Sequence, residues 1–139
     1  MLTLEHLNLV VKDIDETIKF YQAIAPHWKV RSSGQGNWYG TPRNWVHFGD
    51  DYQFLTFNDS GTGANRDLET NALGLSHFAF STANIDAATT RLQAAGFEIK
   101  IPLREDTHRK NIYFLDPNGN EVELVQYLSD IPSERNLDA

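Results

Sequence analysis

The chain reads as two copies of one unit, and that repeat constrains its fold more than any other feature. When the sequence is laid on itself so that His6 falls on His77, a shift of 71 positions, Leu7 falls on Phe78 and Leu9 on Phe80. The same shift puts Ile14 on Ile85, Asp15 on Asp86, Gln22 on Gln93 and Ala23 on Ala94. Trp28 and Val30 land on Ile99 and Ile101. Two copies are too few for a solenoid, whose units bury their faces by stacking on several neighbours, so a pseudo-symmetric pair is left.

Each copy opens on a strand. In residues 3–11, Leu7, Leu9 and Val11 alternate with His6, Asn8 and Val10, the period of a strand with one covered face. Asp13 then caps a helix, with Glu16 completing a D-x-x-E capping box. Ile14, Ile18, Tyr21 and Ile24 follow at helical spacing, and Pro26 ends the helix. Strands are expected near 28–32, 45–49 and 52–57. The second copy predicts a strand at 75–82 and a helix from Asn84 that buries Ile85, Ala88, Leu92 and Ala95 and stops at Gly96. Further strands are expected near 97–101, 111–115 and 121–127, the last two joined through Asp116, Pro117, Asn118, Gly119 and Asn120, a strong turn signal. The predicted fold is therefore α+β: two β-α-β-β-β modules, about 2–57 and 75–128, within one domain spanning residues 1–139. A polar linker at 58–74 joins them, and the polar tail at 129–139 is expected to be loosely held.

Composition removes whole classes of function. The 139 residues include 12 Lys and Arg against 19 Asp and Glu, a net charge of −7, and no cysteine. An acidic chain repels phosphate, which argues against nucleic acid as a partner. The absence of cysteine removes disulfides, thiolate nucleophiles and cysteine zinc sites together. The first residues carry Glu5 and His6 and lack a basic stretch, so no signal peptide is expected. No apolar run approaches the roughly 18 residues of a membrane span. The expectation is a soluble, cytoplasmic domain that works on small molecules through nitrogen and oxygen groups.

Four positions could hold a metal. His6 and His77 sit on the strand faces opposite the bulky apolar residues, and in a curved sheet built from both modules that face is the concave one. Aligning the ends of the final strands places Gln53 on Glu123, both pairs lying 70 residues apart with Phe57 on Tyr127. Glu123 stands between Val122 and Leu124, and a carboxylate among core residues needs a cation or hydrogen-bond donors. Glu121 precedes the apolar run and reads as solvated. Two imidazoles, one carboxylate and one amide oxygen form a plausible set for one divalent ion (Zn, Ni, Mn or Fe(II)), with positions open for water or substrate. Among candidate substrate contacts, Arg109 and Lys110 lead into the 111–115 strand and could anchor an anion. Tyr113, His47, Trp45 and Trp38 could line an apolar pocket. Gly34, Gly36 and Gly40 open no helix, so they read as a mobile rim rather than a phosphate loop.

The residues Glu5-His6-Leu7 through Asp13 and Phe20-Tyr21, then Gly74-Leu75-Ser76-His77-Phe78-Ala79-Phe80, and above all Tyr113-Phe114-Leu115-Asp116-Pro117-Asn118-Gly119-Asn120-Glu121-Val122-Glu123-Leu124, resemble the vicinal oxygen chelate superfamily. That superfamily includes glyoxalase I, fosfomycin-resistance enzymes, extradiol dioxygenases and bleomycin-resistance proteins. The resemblance implies paired modules forming a cup around one divalent metal, with His6, His77 and Glu123 as ligands and Gln53 as the fourth in a glyoxalase-like site. It also implies a homodimer. The expected function is a metal-dependent, glyoxalase-like lyase or isomerase with Glu123 as general base, acting on a small oxygen-bearing substrate such as a thiol adduct. Two alternatives are a fosfomycin-type thiol transferase and a drug-sequestering binder of the bleomycin-resistance kind.

Overall fold

The computed structural model describes residues 1–137. It divides into two compact units between Ala64 and Asn65. Each unit holds one four-stranded sheet and one long helix, the α+β plan that the repeat predicts.

In the first unit, β1 (His6–Val10) is followed by α1 (Ile14–Ile24), β2 (Lys29–Trp38), β3 (Thr41–Gly49) and β4 (Phe54–Asn58). The strand order is β1-β4-β3-β2, with β1 and β4 parallel and the other neighbours antiparallel. Parallel first and last strands need a crossover, and α1 supplies it. Asp13 caps α1 by accepting from the Glu16 backbone N–H at 2.9 Å. The buried face of α1 is Thr17, Phe20, Tyr21 and Ile24. It is rotated from the expected stripe: Ile14 and Ile18 are half-exposed, and Thr17 goes inside because its hydroxyl donates to the Asp13 carbonyl at 2.7 Å. Tyr21 stacks on Phe57 at 5.4 Å, and Phe48 meets Phe57 and Trp28, which closes the core on one side of the sheet.

The glycines expected to form a rim lie instead on a long hairpin. Gly34 and Gly36 belong to β2, and Gly34 pairs with Trp45 of β3. A Cβ at Gly34 would stand 2.7 Å from the Trp45 ring, so glycine is required for the indole to lie across the strand. Gly40, at a φ of +83°, makes the hairpin turn.

The second unit repeats the plan with β5 (Phe78–Ser81), α2 (Ile85–Ala94), β6 (Ile99–Glu105), β7 (Arg109–Leu115) and β8 (Glu121–Tyr127), in the order β5-β8-β7-β6. Asn84 caps α2, which buries Ile85, Ala88 and Leu92 against Ile112, Phe114, Val122 and Leu124. The expected strand at 75–82 is shorter: Leu75, Ser76 and His77 precede it as irregular chain. Part of the expected linker folds onto this unit. Arg66 donates to the Thr70 and Ala72 carbonyls, and Asn65 donates to the Asn118 carbonyl and the Asn120 side chain. The tail is held through Arg135: α3 (Pro132–Arg135) places Glu134 beside His108 and Ser129, and Arg135 over the Tyr127 ring at 3.8 Å, while residues 138–139 lie outside the described residues. Among the described residues no helix is long and apolar enough to cross a membrane.

The turn between β7 and β8 hangs on one carboxylate. Buried Asp116 accepts from the backbone N–H groups of Asn118 at 2.8 Å and Asn120 at 2.9 Å, and from the Asn120 side chain at 2.9 Å. Asp116→Ala strands these donors, and urea denaturation should show a loss of about 2–3 kcal/mol. A loss below about 0.5 kcal/mol, the size of an ordinary surface change, would contradict this reading of the turn.

Candidate functional site

Strand alternation builds the functional face of each unit. In the second unit Val122 and Leu124 point to α2 and are fully buried, so Glu121 and Glu123 point to the opposite face. Glu123 pairs with Tyr113 and Val125 with Asn111, which brings Tyr113 and Asn111 to the same side. His77, just before β5, leans over this face.

There the groups are closely placed. His77 Nε2 lies 3.3 Å from Glu123 Oε1. Asn111 donates to Glu123 Oε2 at 3.1 Å. The Tyr113 ring meets His77 edge-on at 5.4 Å, and its hydroxyl bonds to Glu123. Burial, reinforced by the Glu123 charge, pushes the Tyr113 phenol above its ordinary value of 10.0, so it stays protonated as a donor. Glu121 is not solvated as expected: its side chain is 11% exposed, bonded to Lys100 and 3.5 Å from His77 Nδ1. The sequence signal was available, since Glu121 shares the parity of Glu123 in the strand.

These residues suit a divalent ion. Two donors each about 2.1 Å from a tetrahedral or octahedral ion stand about 3.0–3.4 Å apart. His77 Nε2 and Glu123 Oε1 are 3.3 Å apart, within that range. Within the described residues no cluster of three or more His, Asp or Glu side chains forms a complete metal cage.

Of the expected anion contacts, Arg109 alternates onto the Asn111 face, where it lines a polar cleft with Arg104, Glu105, Asp106 and Asn111. It lies 3.6 Å from Asp106. Lys110 alternates instead onto the face of buried Ile112, away from Glu123. Its strand partner, Gln126, bonds the start of α2, on that same covered side.

In the first unit, His6 stacks on Phe54 at 4.6 Å and its Nδ1 meets Glu5 at 2.9 Å. His47 stacks on the same ring at 4.7 Å, and the Arg31 guanidinium lies 4.4 Å from its centre. Trp45 borders His47 at 5.0 Å, while Trp38 is covered by Arg43 at 3.4 Å. Gln53 is outside this group. It is an exposed turn residue whose backbone N–H donates to Asp50, one position before β4 begins. Pairing shows that the alignment of strand ends was three residues off. Asn8, two beyond His6, pairs with Thr56, just as Ala79, two beyond His77, pairs with Glu123. The counterpart of Glu123 is thus Thr56, buried at 6% exposure.

Burial, then the positive charges of Arg31 and His6, hold the His47 pKa below 6.5. A depressed histidine contributes stability that is complete above 6.5 and lost as pH falls through the folded value. An NMR titration of the His47 ring should give a midpoint below 6.5, moving part of the way back in Arg31→Gln because burial remains. An unmoved midpoint would contradict the assigned cause.

Comparison with known proteins agrees with this architecture. A glyoxalase/bleomycin resistance/dioxygenase family model matches residues 3–124. A glyoxylase/bleomycin resistance/dioxygenase domain from Frankia sp. EAN1pec is 22% identical with a TM-score of 0.75, covering 94% of this chain and 96% of that one. The genomically encoded fosfomycin resistance protein FosX from Listeria monocytogenes, in complex with Mn(II) and sulfate, is 25% identical with a TM-score of 0.65, covering 97% and 98%. A Glu-to-Gln mutant of the same FosX, with Mn(II) and 1S,2S-dihydroxypropylphosphonic acid, gives 25% identity and a TM-score of 0.70 over 97% and 98%. No curated protein matches the sequence. The chain belongs to the glyoxalase/bleomycin resistance protein/dioxygenase superfamily.

Proposed function

We propose that the chain is a divalent-metal-dependent enzyme of the glyoxalase-like type, acting on a small oxygen-bearing substrate. The observation that carries this reading is the His77–Glu123 pair, set at ligand spacing with Asn111 and Tyr113 holding the carboxylate. His77 and Glu123 are assigned as ligands, with His6 as the third that the family resemblance implies. In the first unit Thr56 occupies the register position that Glu123 occupies in the second.

When bound, the ion polarises a substrate oxygen and stabilises the negative charge that grows on it. Glu123 then acts as general base, taking the proton from the adjacent carbon or from an attacking nucleophile. Asn111 fixes Oε2 and so sets the direction of that transfer. Tyr113, kept protonated, donates a hydrogen bond at the same edge. Arg104 and Arg109 in the adjoining cleft attract an anionic substituent of the substrate.

A second reading is favoured by the likeness to FosX and by Arg104 and Arg109 in that cleft, beside Glu105 and Asp106: opening of a phosphonate epoxide by a thiol or by water. Both readings use the same ligands, and a homodimer is inferred for either.

Protein purified without chelator should carry about one equivalent of divalent metal, lost in His77→Ala and Glu123→Ala. Turnover is assayed with methylglyoxal plus glutathione and, separately, with fosfomycin plus thiol or water. In the active assay Glu123→Gln should lower kcat about 10²–10⁴-fold. Protein that takes up neither Zn, Ni, Mn nor Fe(II) overturns the metal reading. Metal binding with ligand capture but no turnover favours the sequestering function instead.

A further inference from the structure

We propose that Glu121, braced by Lys100, is a positioning residue that fixes which nitrogen of His77 carries the proton and so presents the other to the metal. This rests on the metal reading above and extends it to residues outside the ligand set.

His77 has a carboxylate on each side: Glu121 Oε2 at 3.5 Å from Nδ1 and Glu123 Oε1 at 3.3 Å from Nε2. A neutral imidazole carries one proton, so only one edge can donate. Glu121 is held in place, since Lys100 binds its other oxygen and the side chain is 11% exposed. Glu123 already accepts from Asn111 and Tyr113. With the proton on Nδ1, facing the Glu121 carboxylate, the Nε2 lone pair faces a Glu123 oxygen. Two lone pairs 3.3 Å apart repel each other unless a cation lies between them. Glu121 therefore prepares a pair of donors that a metal completes. The arrangement is that of a carboxylate orienting a metal-bound imidazole from behind, where loss of the outer partner typically costs 10–100-fold in metal affinity. Lys100 holds that carboxylate in place, at the cost of ordering a long side chain.

The test uses the full-length protein in three forms: wild type, Glu121→Ala and Glu121→Gln, with His77→Ala as control. In metal-free protein, at a pH where the ring is neutral, nitrogen-15 NMR of His77 should show the proton on Nδ1 in wild type. In Glu121→Ala it should shift toward Nε2, the tautomer that free imidazole side chains favour. Titration with Zn(II) or Mn(II) should show affinity about 10–100-fold weaker in Glu121→Ala. Glu121→Gln keeps one acceptor oxygen for two donors, Lys100 and His77, so its affinity should fall between wild type and Glu121→Ala. An unchanged tautomer in Glu121→Ala overturns the proposal. So does a metal affinity in Glu121→Ala equal to that of wild type. Wild-type protein that binds no metal overturns the preceding metal reading, and the nitrogen spectrum still decides whether Glu121 sets the tautomer.

Discussion

Everything at the candidate site depends on one constraint: a helix covers one face of each sheet and leaves the other open. In the second unit α2 lies over β8, so Val122 and Leu124 must point inward, where both are fully buried. A slip of one residue would exchange these side chains with Glu121 and Glu123 and drive two carboxylates into an apolar core. Packing therefore fixes the positions of the polar residues that do no packing. The turn around Asp116 reinforces the register by setting where β8 begins.

On the face that results Glu121 and Glu123 stand with Lys100, which is committed to Glu121, while Arg104 and Arg109 line the adjoining cleft. Glu123 is met by neutral donors from Asn111 and Tyr113 and by an imidazole nitrogen whose proton state depends on its far side. The 3.3 Å between His77 Nε2 and Glu123 Oε1 is the spacing of two donors on one ion. In the first unit Phe54 serves as a platform shared by His6, His47 and the Arg31 guanidinium, and burial, then the Arg31 charge, lowers the His47 pKa. The repeat thus gives the two units the same frame and different surfaces.

Much of this was legible in the sequence because it is written in local periodicities. Alternation put His6 opposite Leu7 and Glu123 opposite Val122, Asp13 and Asn84 announced the helix starts, and the 116–120 run announced its turn. The misplaced features depend on pairing across strands. Gln53 was matched to Glu123 by aligning strand ends, but β8 runs on to Tyr127 while β4 stops at Asn58, and only pairing with β1 identifies Thr56. Glu121 was read as solvated because its partners, Lys100 and His77, are 21 and 44 residues away in the chain. Gly34 looked like a loop residue because its reason for being glycine, the Trp45 ring, lies on the next strand. Lys110 was grouped with Arg109 by adjacency, whereas strand parity separates them.

The most direct test of the account is anomalous diffraction from crystals of the protein loaded with Mn(II) or Zn(II), measured at the metal edge. The account predicts a single strong peak about 2.0–2.2 Å from both His77 Nε2 and Glu123 Oε1, with Glu121 on the Nδ1 side of the ring and not bound to the ion. A peak that avoids this pair, or one coordinated by Glu121 in place of Glu123, would contradict it.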